Sequence, residues 1–127
     1  MRITATVLQM IIRVCGVIQI VLGLLFWTNN ARTLVPLHML VGSLLVLSLI
    51  ALAVVAAIAG VGPGFVALAI AWALVTLLLG LTQTQLLPGT AHWVIQVLHL
   101  LIGLGAIGQG ENLGRRIKST SKVALQA

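Results

Sequence analysis

The chain has 127 residues, of which 61% are hydrophobic and only 6% are charged, with seven Lys or Arg against a single acidic residue. Soluble domains carry about 25% charged residues, so this chain cannot cover a water-exposed surface. This excludes a soluble enzyme and a disordered tail. Nucleic-acid binding is also excluded, because the positive charges lie at the chain ends and do not form a basic face. We expect an integral membrane protein of one small domain.

Four apolar segments are long enough to cross a bilayer, which takes about 20 residues. We predict these helices at 3–27, 35–59, 65–81 and 91–108. The breaks between them are short and contain Gly, Pro and Asn, so successive helices should be antiparallel neighbours. The sequence therefore predicts an all-α, four-helix transmembrane bundle at 1–118, followed by a flexible tail at 119–127.

Basic residues indicate how the bundle is oriented. They precede the first predicted helix and follow the fourth, at Arg2, Arg115, Arg116, Lys118 and Lys122. Four spans place both termini on one side, and an excess of Lys and Arg marks the cytoplasmic side. We therefore expect both termini in the cytoplasm of a cell whose plasma membrane holds the protein, most simply a bacterium. Trp27 and Trp93 then lie at the outer interface, where indole rings anchor.

A short repeat links the second and fourth predicted helices. Residues 37–42 read LHMLVG and residues 98–103 read LHLLIG, so both have the pattern Leu-His-apolar-Leu-apolar-Gly. The first and third helices also correspond, through LGL at 22–24 and at 79–81. The bundle is therefore predicted to consist of two hairpin repeats related by a pseudo-twofold axis along the membrane normal.

The histidines are the main candidates for chemistry, because ionisable groups within membrane spans are costly to bury. His38 and His99 lie on the second and fourth helices, which are diagonal in an up-down bundle. Gly42 and Gly103 follow them by one turn, on the same helix faces, and leave room for a flat macrocycle. Histidine is a common axial ligand of haem iron. We expect His38 and His99 to be the metal ligands of one haem.

Other interpretations of the histidines stay open. A neutral histidine hydrogen-bonded to a carbonyl could simply belong to the core. His92 lies seven residues before His99, hence on the same helix face, and is the alternative ligand. It could also be an interfacial residue beside Trp93. Gln96, one turn after His92, could hydrogen-bond a ligand imidazole and fix its tautomer.

Arg13 is the one basic residue well inside the first predicted helix. Its long side chain could extend to the nearby interface and keep its charge in water. Gln9 lies one turn before it on approximately the same face. The haem would be too far from Arg13 for a contact, so the other interpretation is a partner protein or a lipid phosphate.

The stretch from 77 to 103, LLLGLTQTQLLPGTAHWVIQVLHLLIG, resembles the third and fourth helices of one half of the haem A synthases. Members of that family have eight helices in two four-helix halves. Each half binds haem through one His on its second helix and one on its fourth, near the outer membrane face. The resemblance covers nearly all of this chain and about one half of such a protein, and it implies haem ligands at His38 and His99.

The chain departs from the family's motif on the second helix. The family has a catalytic Glu three residues before the His and an Arg directly after it, where this chain has Val35 and Met39. The family's paired loop cysteines are absent as well, since Cys15 is the single cysteine. The resemblance therefore extends to the haem-binding bundle and not to haem A synthesis.

We expect a small b-type cytochrome-like membrane protein that binds one haem b and serves electron transfer, haem carriage or sensing. The residues that would form the site are His38, His99, Gly42, Gly103, His92 and Gln96. The sequence does not identify a redox partner. The alternative is a cofactor-free membrane subunit or assembly factor of a larger complex, whose Gly- and Ser-lined helix faces would carry the function. A homodimer would recreate an eight-helix arrangement.

Overall fold

The computed structural model describes the backbone of residues 1–126 and the side chains of residues 1–120. It contains four α-helices: α1 (Arg2–Trp27), α2 (Val35–Ile58), α3 (Pro63–Thr82) and α4 (His92–Gln126). Single 3-10 turns precede α2 and follow α3, at Arg32–Leu34 and Gln83–Gln85. All four helices are long and apolar enough to cross a membrane. The predicted all-α bundle with four candidate transmembrane helices is confirmed.

Proline and glycine set the ends of the helices. A proline lies in the first turn of both α2 and α3, where its missing N–H costs no helical hydrogen bond. Gly60, with a φ of 79°, follows the end of α2, and this left-handed conformation suits glycine. Gly89 has a φ of 94° in the connection before α4. The predicted boundaries of α1, α2 and α3 therefore differ from the observed ones by no more than about two residues.

The four helices are arranged so that α2 and α4 touch across the centre of the bundle. Helix α1 packs on α2 and α4, and α3 also packs on α2 and α4. The core is concentrated on α2, where Leu49, Leu52, Ala53 and Ala56 are fully buried. This arrangement brings the two histidine-bearing helices, α2 and α4, into contact.

Helix α4 is much longer than the segment 91–108 that hydropathy predicts. Its second half is polar, but it includes Gln, Glu, Leu, Arg and Lys residues, which favour a helix. It also packs on α1, and Leu113 and Ile117 are fully buried there. The predicted tail at 119–127 begins inside α4, and its side chains from 121 onward lie outside the described residues.

Glycines on α4 allow the neighbouring helices to approach closely. A Cβ at Gly105 would lie 2.5 Å from the indole of Trp72 on α3, and a Cβ at Gly110 would lie 2.9 Å from Ile12 on α1. The Trp72 indole N–H also donates to the carbonyl of Ile102, 2.9 Å away. The close packing of α4 against α3 and against α1 therefore depends on glycines, which have no side chain at the points of contact.

Candidate functional site

Two histidines from different helices face each other at one end of the bundle, which we call the histidine end. His38 lies in the first turns of α2 and His99 in the second turn of α4. Their ring centroids are 6.3 Å apart, and the ring planes differ by 57°. Both residues are half-buried. The pairing of these two histidines, expected from the repeat, is therefore present in the fold.

The Nδ1 atoms of both histidines are buried and have no hydrogen-bond partner among the described residues. Such atoms are uncommon, because a buried polar group without a partner costs about 1–3 kcal/mol. Two of them lie on facing rings. A core histidine bonded to a nearby carbonyl, which was the simpler interpretation of each residue, does not describe these nitrogens. A ligand bonded to both Nδ1 atoms would satisfy them.

The spacing of the two rings suits a metal held between them. A metal–imidazole bond is about 2.0–2.1 Å long, so two opposed imidazoles on one metal have ring centres about 6 Å apart. The observed 6.3 Å agrees with this distance. Among residues 1–120, no three His, Cys, Asp or Glu side chains are grouped to hold a metal ion. Two histidines are too few for a structural zinc site, but haem iron takes only axial ligands from the protein.

Side chains from α1 hold His38 in place. The ring of Phe26 packs edge-on against the His38 ring, with centroids 5.3 Å apart. The Gln19 amide N–H donates to the backbone carbonyl of His38. Gly42 was expected to border a flat macrocycle, but the structure places the Gln19 amide there, 3.4 Å from the position of a Cβ. Gly42 thus gives Gln19 access to the α2 backbone.

Two other glycines lie near His99. A Cβ at Gly80, on α3, would be 3.4 Å from Cε1 of the His99 ring, so Gly80 lets α3 approach this ring. Around Gly103, one turn after His99, no other group lies within 4 Å of a Cβ position. A side chain at position 103 would therefore meet open space among the described residues. The sequence analysis did not identify Gly80 as part of the site, although it lies in the repeated Leu-Gly-Leu.

The structure separates His92 from the facing pair. Its Nδ1 lies 3.2 Å from the carbonyl oxygen of Leu86, in the connection between α3 and α4. This contact places the ring at the edge of the bundle beside Trp93, which is exposed. Gln96 was expected to bond a ligand imidazole, yet Nδ1 of His99 receives no bond from it. Of the two candidate second ligands, only His99 faces His38.

A second polar cluster lies at the opposite end of the bundle, between α1 and α4. The Arg13 guanidinium forms a two-point ion pair with Glu111, and its Nη2 lies 2.8 Å from Oε2. Gln9, which is 2% exposed, donates to Oε2 of Glu111 over 3.3 Å. Its Oε1 accepts from Nζ of Lys118 at 2.6 Å. We call this end the basic end.

The sequence analysis missed the pairing of Arg13 with Glu111. The signal was available, because Glu111 is the only acidic residue and Arg13 is the only basic residue within the apolar part of α1. The expectation that α4 ends near 108 hid it, because Glu111 lies beyond that residue, at the end expected to be cytoplasmic. The Arg13 side chain remains 58% exposed in spite of the ion pair.

No protein-family model matches this chain, and neither does any curated protein or any solved structure. The function must therefore be argued from the residues and their geometry.

Proposed function

We propose that this protein binds one haem b between α2 and α4, with His38 and His99 as its axial ligands. The observation that carries the proposal is the pair of buried, unpartnered Nδ1 atoms on rings whose centres are 6.3 Å apart. Bound haem would supply a one-electron couple. Two axial histidines leave no free iron position for a substrate, so electron transfer, haem carriage or sensing fits better than oxygen activation.

The chain's own residues would orient and shield such a site. Gln19 fixes the α2 backbone at His38, and Phe26 limits rotation of that ring. Gly80 lets α3 pack closely against the His99 ring, and a Cβ at Gly103 would meet open space. These contacts hold the imidazoles in a preformed arrangement, which reduces the ordering cost of binding.

Absorption spectra of the detergent-purified protein test the proposal directly. The oxidised and the dithionite-reduced protein, titrated with haem b, should show the split bands of low-spin iron on reduction, at one haem per chain. H38A and H99A should lose these bands, whereas the matched variant H92A should keep them. Circular dichroism and gel filtration check that each variant is folded.

Added imidazole distinguishes a lost ligand from a lost fold. If His38 is an axial ligand, free imidazole should restore the low-spin spectrum of H38A. A featureless spectrum of the wild-type protein after haem addition overturns the proposal. The cofactor-free membrane subunit would then be the better hypothesis.

We also propose that the basic end faces the cytoplasm, which places the histidine end near the outer face. The support is the excess of Lys and Arg at that end, with Arg32 the one basic residue at the other. In a Cys15→Ala background, N30C should react with a membrane-impermeant maleimide in intact cells. S119C should react only after the cells are opened, and the reverse pattern would refute this orientation.

A further inference from the structure

We propose that the seam between α1 and α4 at the basic end binds an anionic phospholipid. Its headgroup would lie on Arg13, Arg115 and Lys118, and one acyl chain in an adjacent apolar groove. This site is separate from the histidine pair, and it does not depend on haem binding.

The cations at this seam exceed the negative charge that the chain can offer. Arg13 reaches Glu111 from α1, while Arg115 and Lys118 follow Glu111 by four and seven residues on the same face of α4. Both add positive charge beside its carboxylate. Glu111 is the only acidic residue in the sequence. One carboxylate therefore faces three cations, and the remaining countercharge must come from outside the chain.

The basic side chains differ in the contacts that they already make within the protein. Arg116 stacks on the ring of Phe65, 3.3 Å from its centroid, and so belongs to the seam with α3. Arg115 is exposed, and Arg13 keeps more than half of its side chain exposed although it is paired. Glu111 and Gln9 hold Arg13 and Lys118 in fixed positions. The cluster is thus preorganised while its outer side stays open to a phosphate.

An apolar groove begins beside this cluster on the same helix. It has a volume of about 320 Å³, and its lining residues come from α1 and α2: Met10, Ile11, Val14, Cys15 and Leu44. Met10, which lines the groove, lies three residues before Arg13 and so beside it on the surface of α1. No polar atom lines the groove. A phosphate site next to an acyl-sized groove is complementary to a phospholipid and not to a free anion.

The position of the site along the helices also favours a lipid. Glu111, Arg115 and Lys118 lie in the polar half of α4, beyond its apolar part, and Arg13 reaches Glu111 there from α1. Basic pockets between transmembrane helices are known to bind acidic headgroups. Zwitterionic lipid lacks the net charge that the seam requires.

Native mass spectrometry of the purified full chain tests this inference. The protein in detergent is titrated with phosphatidylglycerol or with phosphatidylcholine of the same acyl chains, and the retained lipid is counted. We expect at least fivefold more phosphatidylglycerol to be retained. Inorganic phosphate at millimolar concentration should not displace it, because phosphate cannot occupy the groove.

Five variants test the basic cluster and the apolar groove separately, with R32Q and L47W as controls. R115Q leaves the Arg13–Glu111 pair intact and should lower phosphatidylglycerol retention severalfold, and R13Q should lower it further. R32Q removes the same charge at the histidine end and should change nothing. V14W fills the groove and should lower retention, whereas L47W, at an exposed apolar position on α2, should not.

Thermal unfolding in detergent confirms that each variant is folded. Equal retention of the two lipids overturns the proposal. So does retention that is unchanged in both charge variants relative to R32Q, or unchanged in V14W relative to L47W. Displacement by inorganic phosphate alone would show an anion site and would also refute a phospholipid site.

Discussion

The amide group of Gln9 occupies the space in which any residue other than glycine would place its Cβ at position 114. Gln9 crosses from α1 to α4 there, and it contacts both Glu111 and Lys118. The absence of a side chain at Gly114 therefore permits the polar cluster that joins these helices at the basic end.

Substituting Gly114 with alanine should disrupt this cluster. The new methyl group would displace the Gln9 amide, which is buried and bonded, and overpacking of this kind costs about 1–3 kcal/mol. G108A is the matched control, because a Cβ at Gly108 on the same helix meets nothing within 4 Å. Reversible unfolding in mixed micelles should show a lower free energy of unfolding for G114A and almost no change for G108A. Equal behaviour of the two variants would contradict the packing described for Gln9.

The contact between Gly105 and Trp72 makes a second packing prediction. A methyl group at position 105 would push the indole away from α4, and the bond from its Nε1 to the Ile102 carbonyl would break. W72F removes this bond together with the pyrrole part of the indole, and loss of the bond alone has a net cost of about 1 kcal/mol. We therefore expect the order of stability G108A, W72F, G105A, from highest to lowest. Tryptophan emission should shift in G105A, and an unchanged spectrum would argue against displacement of the indole.

Because the Nδ1 atoms of His38 and His99 have no partner among the described residues, we expect an unusual effect of substitution on the stability of the haem-free protein. Replacing His99 with leucine removes a buried polar atom that has no partner among the described residues, and such a group costs about 1–3 kcal/mol. Haem-free H99L should therefore be at least as stable as the haem-free wild-type protein. H92L should be no more stable than the wild-type protein, because the His92 ring already contacts the Leu86 carbonyl. A clear loss of stability in haem-free H99L would mean that the His99 imidazole is satisfied within the protein.

The ion pair between Arg13 and Glu111 should appear as non-additivity in a double-mutant cycle. R13Q and E111Q should each lower the Tm, since each leaves one charge of the pair without its partner. The double variant R13Q/E111Q should have a Tm no lower than that of the less stable single variant. Added salt should reduce the non-additivity of the Tm changes, because the ion pair is partly exposed. Additive changes in Tm would show that the two side chains are not coupled in solution.

Hydropathy predicts the first three helices well, because Pro36, Pro63 and Gly60 give sharp boundaries to strongly apolar segments. The facing of His38 and His99 could also be expected, since both stand at the same place in a repeated motif on helices that are diagonal in the bundle. These features depend on local sequence and on connectivity alone.

Contacts made by individual side chains could not be predicted in the same way. The sequence does not indicate that Gln19 rather than a cofactor lies over Gly42. Either group requires only that residue 42 has no Cβ, which any glycine provides. Helix α4 was predicted too short for a related reason: its polar half is held by packing on α1, and hydropathy does not register such packing. That error concealed the partnership of Glu111 with Arg13.

The polar contacts between helices are unevenly distributed along the bundle. Those made by Gln9, Arg13 and Lys118 join α1 to α4 at the basic end. Toward the histidine end, the described residues show one such bond from Gln19 at His38 and one from Trp72 at Ile102, one turn after His99. Local opening therefore begins most easily at the histidine end, where the fewest bonds must break. A bulky planar molecule could enter from that side while the other end stays closed. Its binding would then require local opening of the bundle and not global unfolding.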